Sequence, residues 1–172
     1  MAALSKKICL LGDFAVGKTS LVRRFVYNRF EDKYLSTIGV KVSSKMVAVA
    51  GPGQPIEVTM MIWDLAGNEE FNSVRSGYLR GTSGAILVCD LTRAETLPRL
   101  LTYVEELARV KSMVPIIIAA NKADLINDAQ LSQDEVNRFA ASVNAPCYRT
   151  SAKIGDEVET LFRHLAWLMV SR

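Results

Sequence analysis

Gly12-Asp13-Phe14-Ala15-Val16-Gly17-Lys18-Thr19 fits the pattern G-x-x-x-x-G-K-[ST], and its flanks decide the fold. Lys7 to Leu11 is an apolar, strand-like run that stops just before the loop. Leu21, Val22, Phe25 and Val26 follow it at the i, i+1, i+4, i+5 spacing of a helix face. A strand, a Gly-containing loop and a helix start together make an anion site, because loop N–H groups point inward and the helix N-terminus adds partial positive charge. Gly12 and Gly17 permit a close approach that a Cβ would obstruct. Lys18 can reach the outer phosphates of a nucleotide, and the Thr19 hydroxyl can ligate Mg²⁺.

Outward from the loop, strands and helices alternate. Asn28 to Gly39 is polar and aperiodic and reads as a mobile loop. Val40–Val49 and Ile56–Trp63 are β-rich, and the short Gly/Pro linker between them predicts an antiparallel hairpin. Ala66 to Ser83 is polar and Gly-spotted. Gly84–Asp90 and Val114–Ala120 are continuous apolar runs, as expected of strands covered on both faces. Between them, Leu97, Leu100, Leu101, Val104, Leu107 and Ala108 repeat with helical period from Glu95 to Val110.

Ser132-Gln133-Asp134-Glu135 has capping-box spacing ahead of Val136, Phe139, Ala140 and Val143. Pro146 to Thr150 reads as a short strand, and Asp156 to Ser171 as a last helix with Val158, Leu161, Phe162, Leu165, Leu168 and Met169 inward. This pattern specifies an α/β fold, a single domain over 1–172 with a mostly parallel sheet and helices on both faces.

The bulk numbers bound the partners. A chain of 172 residues that is 49% hydrophobic can bury a substantial core. A net charge of +3 with scattered Lys and Arg gives no stripe for nucleic acid. Cys9, Cys89 and Cys147 lack metal-site spacing and read as free thiols in a reducing compartment. With no signal peptide and no apolar run long enough to span a bilayer, the expected location is cytoplasmic.

In such a sheet, ligands bind at the carboxyl ends of the strands, and the remaining candidates fall there. Asp64 opens a D-x-x-G pattern; its carboxylate can hold Mg²⁺, and Gly67 leaves room for an N–H to meet a terminal phosphate. Asp124, in Asn121-Lys122-Ala123-Asp124, can accept from the paired donors on guanine, a pair that adenine lacks on that edge. Asn121 can either bond the base or brace the phosphate loop, and the stem of Lys122 can cover one ring face. Thr150-Ser151-Ala152-Lys153 can offer a backbone donor to the guanine oxygen. The Thr37 hydroxyl can complete a Mg²⁺ shell when a third phosphate is present. His164, the only histidine, lies off the apolar stripe and reads as a surface residue.

GDFAVGKT, Thr37-Ile38-Gly39, WDLAGNEEF, NKAD and TSAK, in this order, resemble the Ras-like small GTPases, closest to the Rab and Ras branches. The resemblance covers the whole chain. It implies a six-stranded sheet with one antiparallel strand, binding of GTP and GDP with Mg²⁺, and two switch loops, 30–39 and 66–80, that contact effector and regulator proteins. The implied nucleotide contacts are Asp13, Phe14, Ala15, Val16, Gly17, Lys18, Thr19 and Ser20 on the phosphate loop. Phe30, Tyr34, Thr37 and Gly67 would join them from the switches, and Asn121, Lys122, Asp124, Ser151, Ala152 and Lys153 at the base. Thr19, Thr37 and Asp64 are the implied metal ligands, and Asn68, Lys18, Thr37 and Gly67 the implied catalytic group.

Two departures bear on rate. Asn68 stands where the family usually has Gln, one methylene longer, to orient the attacking water. Phe14 and Ala15 replace small residues beside the terminal phosphate, so that Phe14 is either turned outward or crowds the site. Both predict slow hydrolysis and leave a second reading open, a nucleotide-loaded scaffold with little or no turnover. No cysteine-containing tail follows the last helix, so a monomer without its own membrane anchor is expected.

Overall fold

The computed structural model describes residues 3–172. Its frame is a six-stranded sheet in the order β2-β3-β1-β4-β5-β6. The strands are β1 (Ala3–Leu11), β2 (Val40–Val49), β3 (Ile56–Leu65), β4 (Gly84–Asp90), β5 (Ile116–Asn121) and β6 (Cys147–Arg149). Only the β2–β3 hairpin is antiparallel; β1 pairs in parallel with both β3 and β4, and β5 with β4 and β6. The chain thus runs to one side of β1 through β3 and to the other through β4. That reversal opens a crevice at the carboxyl rim beside β1.

Side chains alternate across each strand and build two cores. Ile8 and Leu10 point to one face, where α1 (Lys18–Tyr27) and α5 (Val158–Val170) bury Leu21, Phe25, Leu161 and Phe162. Phe25 and Phe162 stack with centroids 4.0 Å apart. Cys9 and Leu11 point to the other face, under α3 (Leu100–Val110) and α4 (Gln133–Ser142). β4 is buried along its whole length, as its unbroken apolar run requires. Ser132 caps α4 with both bonds of the capping box.

Several expectations need correction. β1 begins at Ala3 rather than Lys7, because Ala3 to Lys6 pair with Glu57 to Met60 although their own side chains stay largely exposed. The segment after Ala66 is not only loop: a 3-10 turn over Glu69–Phe71 leads into α2 (Asn72–Tyr78), on the same face as α3. α3 starts at Leu100 rather than Glu95, since a separate turn covers Ala94–Thr96 and Pro98 has no N–H to continue it. Leu101, 48% exposed, and Ala108 face solvent, and Tyr103 takes the buried position. α5 begins at Val158 because Glu157 holds a φ of +58°. His164 is half-buried rather than a plain surface residue, and Nδ1 meets the Tyr148 hydroxyl at 2.8 Å.

Candidate functional site

At the carboxyl rim a cavity of about 310 Å³ is walled by the loops after β1, β3, β5 and β6 and by residues 30–37. The phosphate loop is its floor. Gly17 sits at φ +104°, a left-handed conformation, and a Cβ there would run into the Asn121 amide. Asn121 Nδ2 donates to Val16 O (3.0 Å), while its Oδ1 accepts from Thr150 Oγ1 (3.1 Å). Of the two roles open to Asn121, bracing the loop is the one the geometry displays.

Lys18 is buried and donates to Gly12 O (2.8 Å) and Asp13 O (2.9 Å). Burial pushes its pKa down to about 8, with the charges of Asp64 and Asp13 opposing that shift. Such an ammonium gains from an anion placed against it. Gly67 closes the far side: a Cβ on it would meet Gly12 O, Asp13 C and Lys18 Nζ at 2.5, 2.6 and 2.7 Å. The residue must be glycine for β3's end to approach the loop.

Three oxygen donors converge above Lys18. Thr19 Oγ1 lies 2.6 Å from Thr37 Oγ1 and donates to Asp64 Oδ2. Asp64 Oδ1 is buried without a hydrogen-bond partner, and burial raises the Asp64 pKa against the opposing Thr19 bond and Lys18 charge. Two hydroxyls and a carboxylate oxygen in want of a partner form a hard donor set that fits Mg²⁺.

At the other end, Ser151 Oγ donates to Asp124 Oδ1 (2.7 Å) and fixes the carboxylate in the wall. Lys122, at φ +68°, reaches Ala15 O (3.0 Å) and pairs with buried Asp90 Oδ2 (2.7 Å). Arg24 supports this wall from α1 by donating to the carbonyls of Ala152 (2.9 Å) and Lys153 (2.6 Å).

Most of the expected contacts line one cavity: Phe14, Ala15, Gly17, Lys18, Thr19, Ser20, Phe30, Tyr34, Thr37, Gly67, Asn121, Lys122, Asp124, Ala152 and Lys153. Five expected residues do not. The Asp13 carboxylate turns to Arg99 Nη1 (2.9 Å) and the Tyr103 hydroxyl (3.3 Å), and Val16 is core. Ser151 is fully buried behind Asp124, Asp64 sits against Thr19, and the side-chain Oδ1 of Asn68 is buried without a hydrogen-bond partner.

Phe14 is turned outward, 46% exposed, with its ring edge-on to Tyr34 at 5.5 Å. Arg93 Nη1 holds its carbonyl at 2.8 Å. Sequence reasoning missed Arg24, Asp90, Arg93 and Arg99. Arg24, Arg93 and Arg99 each act on a carbonyl or carboxylate distant in the chain, and Asp90 pairs with the Lys122 ammonium, with no local pattern to mark any of them.

A model of the Ras family matches residues 7–170. The Ras-related protein Rab-21 of Homo sapiens is 37% identical over 169 residues, covering 98% of this chain and 73% of its own length. That of Canis lupus familiaris is equally identical, over 74% of its length. The GTP-binding protein ypt4 of Schizosaccharomyces pombe is 32% identical over 168 residues, covering 96% of this chain and 72% of its own.

Proposed function

The chain belongs to the Ras family of GTP-binding switch GTPases, and from that premise we propose a slow guanine-nucleotide switch, with particular residues in particular roles. The observation that carries the reading is convergence. Asp124 stands at one end of the cavity, Lys18 lies in its floor, and the Thr19–Thr37–Asp64 oxygens gather beside that lysine. Asp124 selects guanine, Lys18 and the loop amides hold the phosphates, and the three oxygens hold Mg²⁺, which when bound neutralises phosphate charge. Phe30 and Lys122 line the base, with Ser151, Ala152 and Lys153 shaping that wall.

Thr37 and the Gly67 N–H contact the terminal phosphate and order both loops, so that its loss releases them. Effectors and regulators read the loops 30–39 and 66–80. Among the described residues no helix is long and apolar enough to cross a membrane.

Hydrolysis is slow in this reading because the Asn68 amide is one methylene shorter than the usual Gln, while Phe14, turned outward against Tyr34, lines the cavity mouth. The same two residues support the alternative of a nucleotide-loaded scaffold. Purified protein should release GDP or GTP on denaturation and bind fluorescent GDP with Mg²⁺. Indifference to both nucleotides at micromolar concentration rules the switch out. Phosphate release followed over hours separates slow turnover from none.

A further inference from the structure

Asp90 ends β4 with no exposed surface. A carboxylate taken out of water is unfavourable unless its oxygens are matched, and here the two are matched differently. Oδ1 accepts from the Thr92 N–H (2.8 Å) and the Thr92 hydroxyl (2.7 Å), a local turn that holds the carboxylate in one orientation. The Thr96 hydroxyl accepts from the Asp90 N–H (2.9 Å) and steadies the backbone of the same turn. Oδ2 makes no aligned hydrogen bond; the charge beside it is the Lys122 ammonium, 2.7 Å away.

Lys122 is a residue that needs holding. It follows Asn121, which pairs with Asp90 across the sheet. Its φ of +68° is a conformation that a side chain with a Cβ adopts only when its surroundings impose it. Nζ lies between Asp90 Oδ2 and the Ala15 carbonyl of the phosphate loop (3.0 Å), and the residue lines the cavity together with Asp124. Without the Asp90 charge, the ammonium at the end of a flexible stem keeps one partner, the Ala15 carbonyl.

We propose that Asp90 is a positioning residue for nucleotide binding, whose buried carboxylate holds the Lys122 ammonium against the phosphate loop and so keeps the lysine stem in place beside the guanine ring. Asp90 itself does not line the cavity and acts through Lys122. The inference rests on the switch reading above and deepens it. The base wall and the phosphate loop are joined by a charge at the end of a third strand.

Asp90→Asn, Lys122→Met and the double variant test this on the whole protein, read as release of fluorescent GDP with Mg²⁺ and excess unlabelled GDP. Asp90→Asn keeps the volume and the Oδ1 acceptor but removes the charge. It should speed release by about tenfold, the low end for a bond to a charged group because the Lys122 side chain is 31% exposed. In the Lys122→Met background the same exchange should bring no further acceleration, since no ammonium is left to hold and a stranded charge is removed. A role confined to the packing of β4 would speed release equally in both backgrounds. That result overturns the proposal, as does wild-type release from Asp90→Asn. Should Asp90→Asn not fold, Thr92→Val makes the same comparison. Stripping one donor from Oδ1, it should speed release by roughly threefold with Lys122 present and not at all in the Lys122→Met background. If the wild type holds neither GDP nor GTP, the switch reading falls and the role of Asp90 with it. If the wild type binds and the effects simply add, only the role of Asp90 falls.

Discussion

Two stretches border the same cavity and are built on opposite principles. Residues 30–39 contain no helix or strand, and Tyr34, Leu35 and Ile38 are exposed, Ile38 at 93%. Their links to the frame are the partly buried Phe30 ring packed against the α1–α5 core, the Thr37–Thr19 hydroxyl contact, the Phe14–Tyr34 ring edge, the Gly39 carbonyl accepting from Ala66 N, and a half-buried Arg23 paired with exposed Glu31. Residues 66–80 bury Phe71, Arg75 and Leu79 and share the bidentate Arg75–Glu106 ion pair with α3. Local stability follows buried contact rather than chain position.

The severest way to break this contrast is to cut each stretch loose and compare stability. Arg75→Ala should cost about 3 kcal/mol, the lower end for a broken buried pair because Glu106 is partly exposed and can regain water. Tyr34→Ala should stay within about 0.5 kcal/mol, as exposed side chains do. Urea unfolding midpoints measure both. Equal losses would mean the two stretches are held alike.

The buried Lys18 sharpens the comparison, because the second stretch closes directly over it at Gly67. In the nucleotide-free protein burial lowers its pKa from 10.5 to about 8. Between those values the unfolded chain keeps a proton that the folded chain releases, so stability rises with pH across the window and is lost as pH falls through about 8. The full effect approaches about 3 kcal/mol. Buried thiols and Tyr103 titrate in the opposite sense, since burial raises the pKa of Cys89 and of Tyr103 to about 12 each. The readout is thus the difference from Lys18→Met, which should lack the rise. Bound GDP should abolish the difference by pairing the ammonium with phosphate.

What the sequence made legible divides along the same line. The phosphate loop, the hairpin and the Ser132 capping box are local signals, in which neighbours along the chain are neighbours in space. The cavity wall was legible too, because each strand end carries its own motif. α2 was not. Its inward row reads Phe71, Arg75, Leu79, and hydrophobic periodicity cannot see a buried arginine whose partner lies 31 residues away. Tyr103 escaped for a related reason: its hydroxyl binds Asp13, 90 residues back. Leu101 was assigned to the core because an apolar residue at helical spacing looks inward whether or not anything covers it.

A smaller effect separates the loops by ligand. Thr37→Ala removes one hydroxyl from residues 30–39 and should weaken binding of a GTP analogue by roughly tenfold, the worth of one bond to a charged group. GDP affinity should be unchanged. Titration of a fluorescent analogue of each nucleotide checks this, and an equal loss for both would show that Thr37 serves the site generally rather than sensing the third phosphate.

A change of similar size concerns rate, and it asks whether residues 66–80 limit the chemistry they border. Asn68 lies just ahead of the Glu69–Phe71 turn, and its side-chain Oδ1 is buried with no hydrogen-bond partner. An amide one methylene longer can extend toward the attacking water. Asn68→Gln should therefore raise single-turnover hydrolysis by about tenfold from a starting rate near or below roughly 10⁻⁴ s⁻¹, the scale of an unassisted relative. Phe14→Gly, measured alongside, removes the ring that meets Tyr34 and opens that side of the cavity. If Phe14→Gly accelerates turnover and Asn68→Gln does not, the barrier belongs to the Phe14–Tyr34 side of the cavity. The reverse result assigns it to the stretch that carries Asn68.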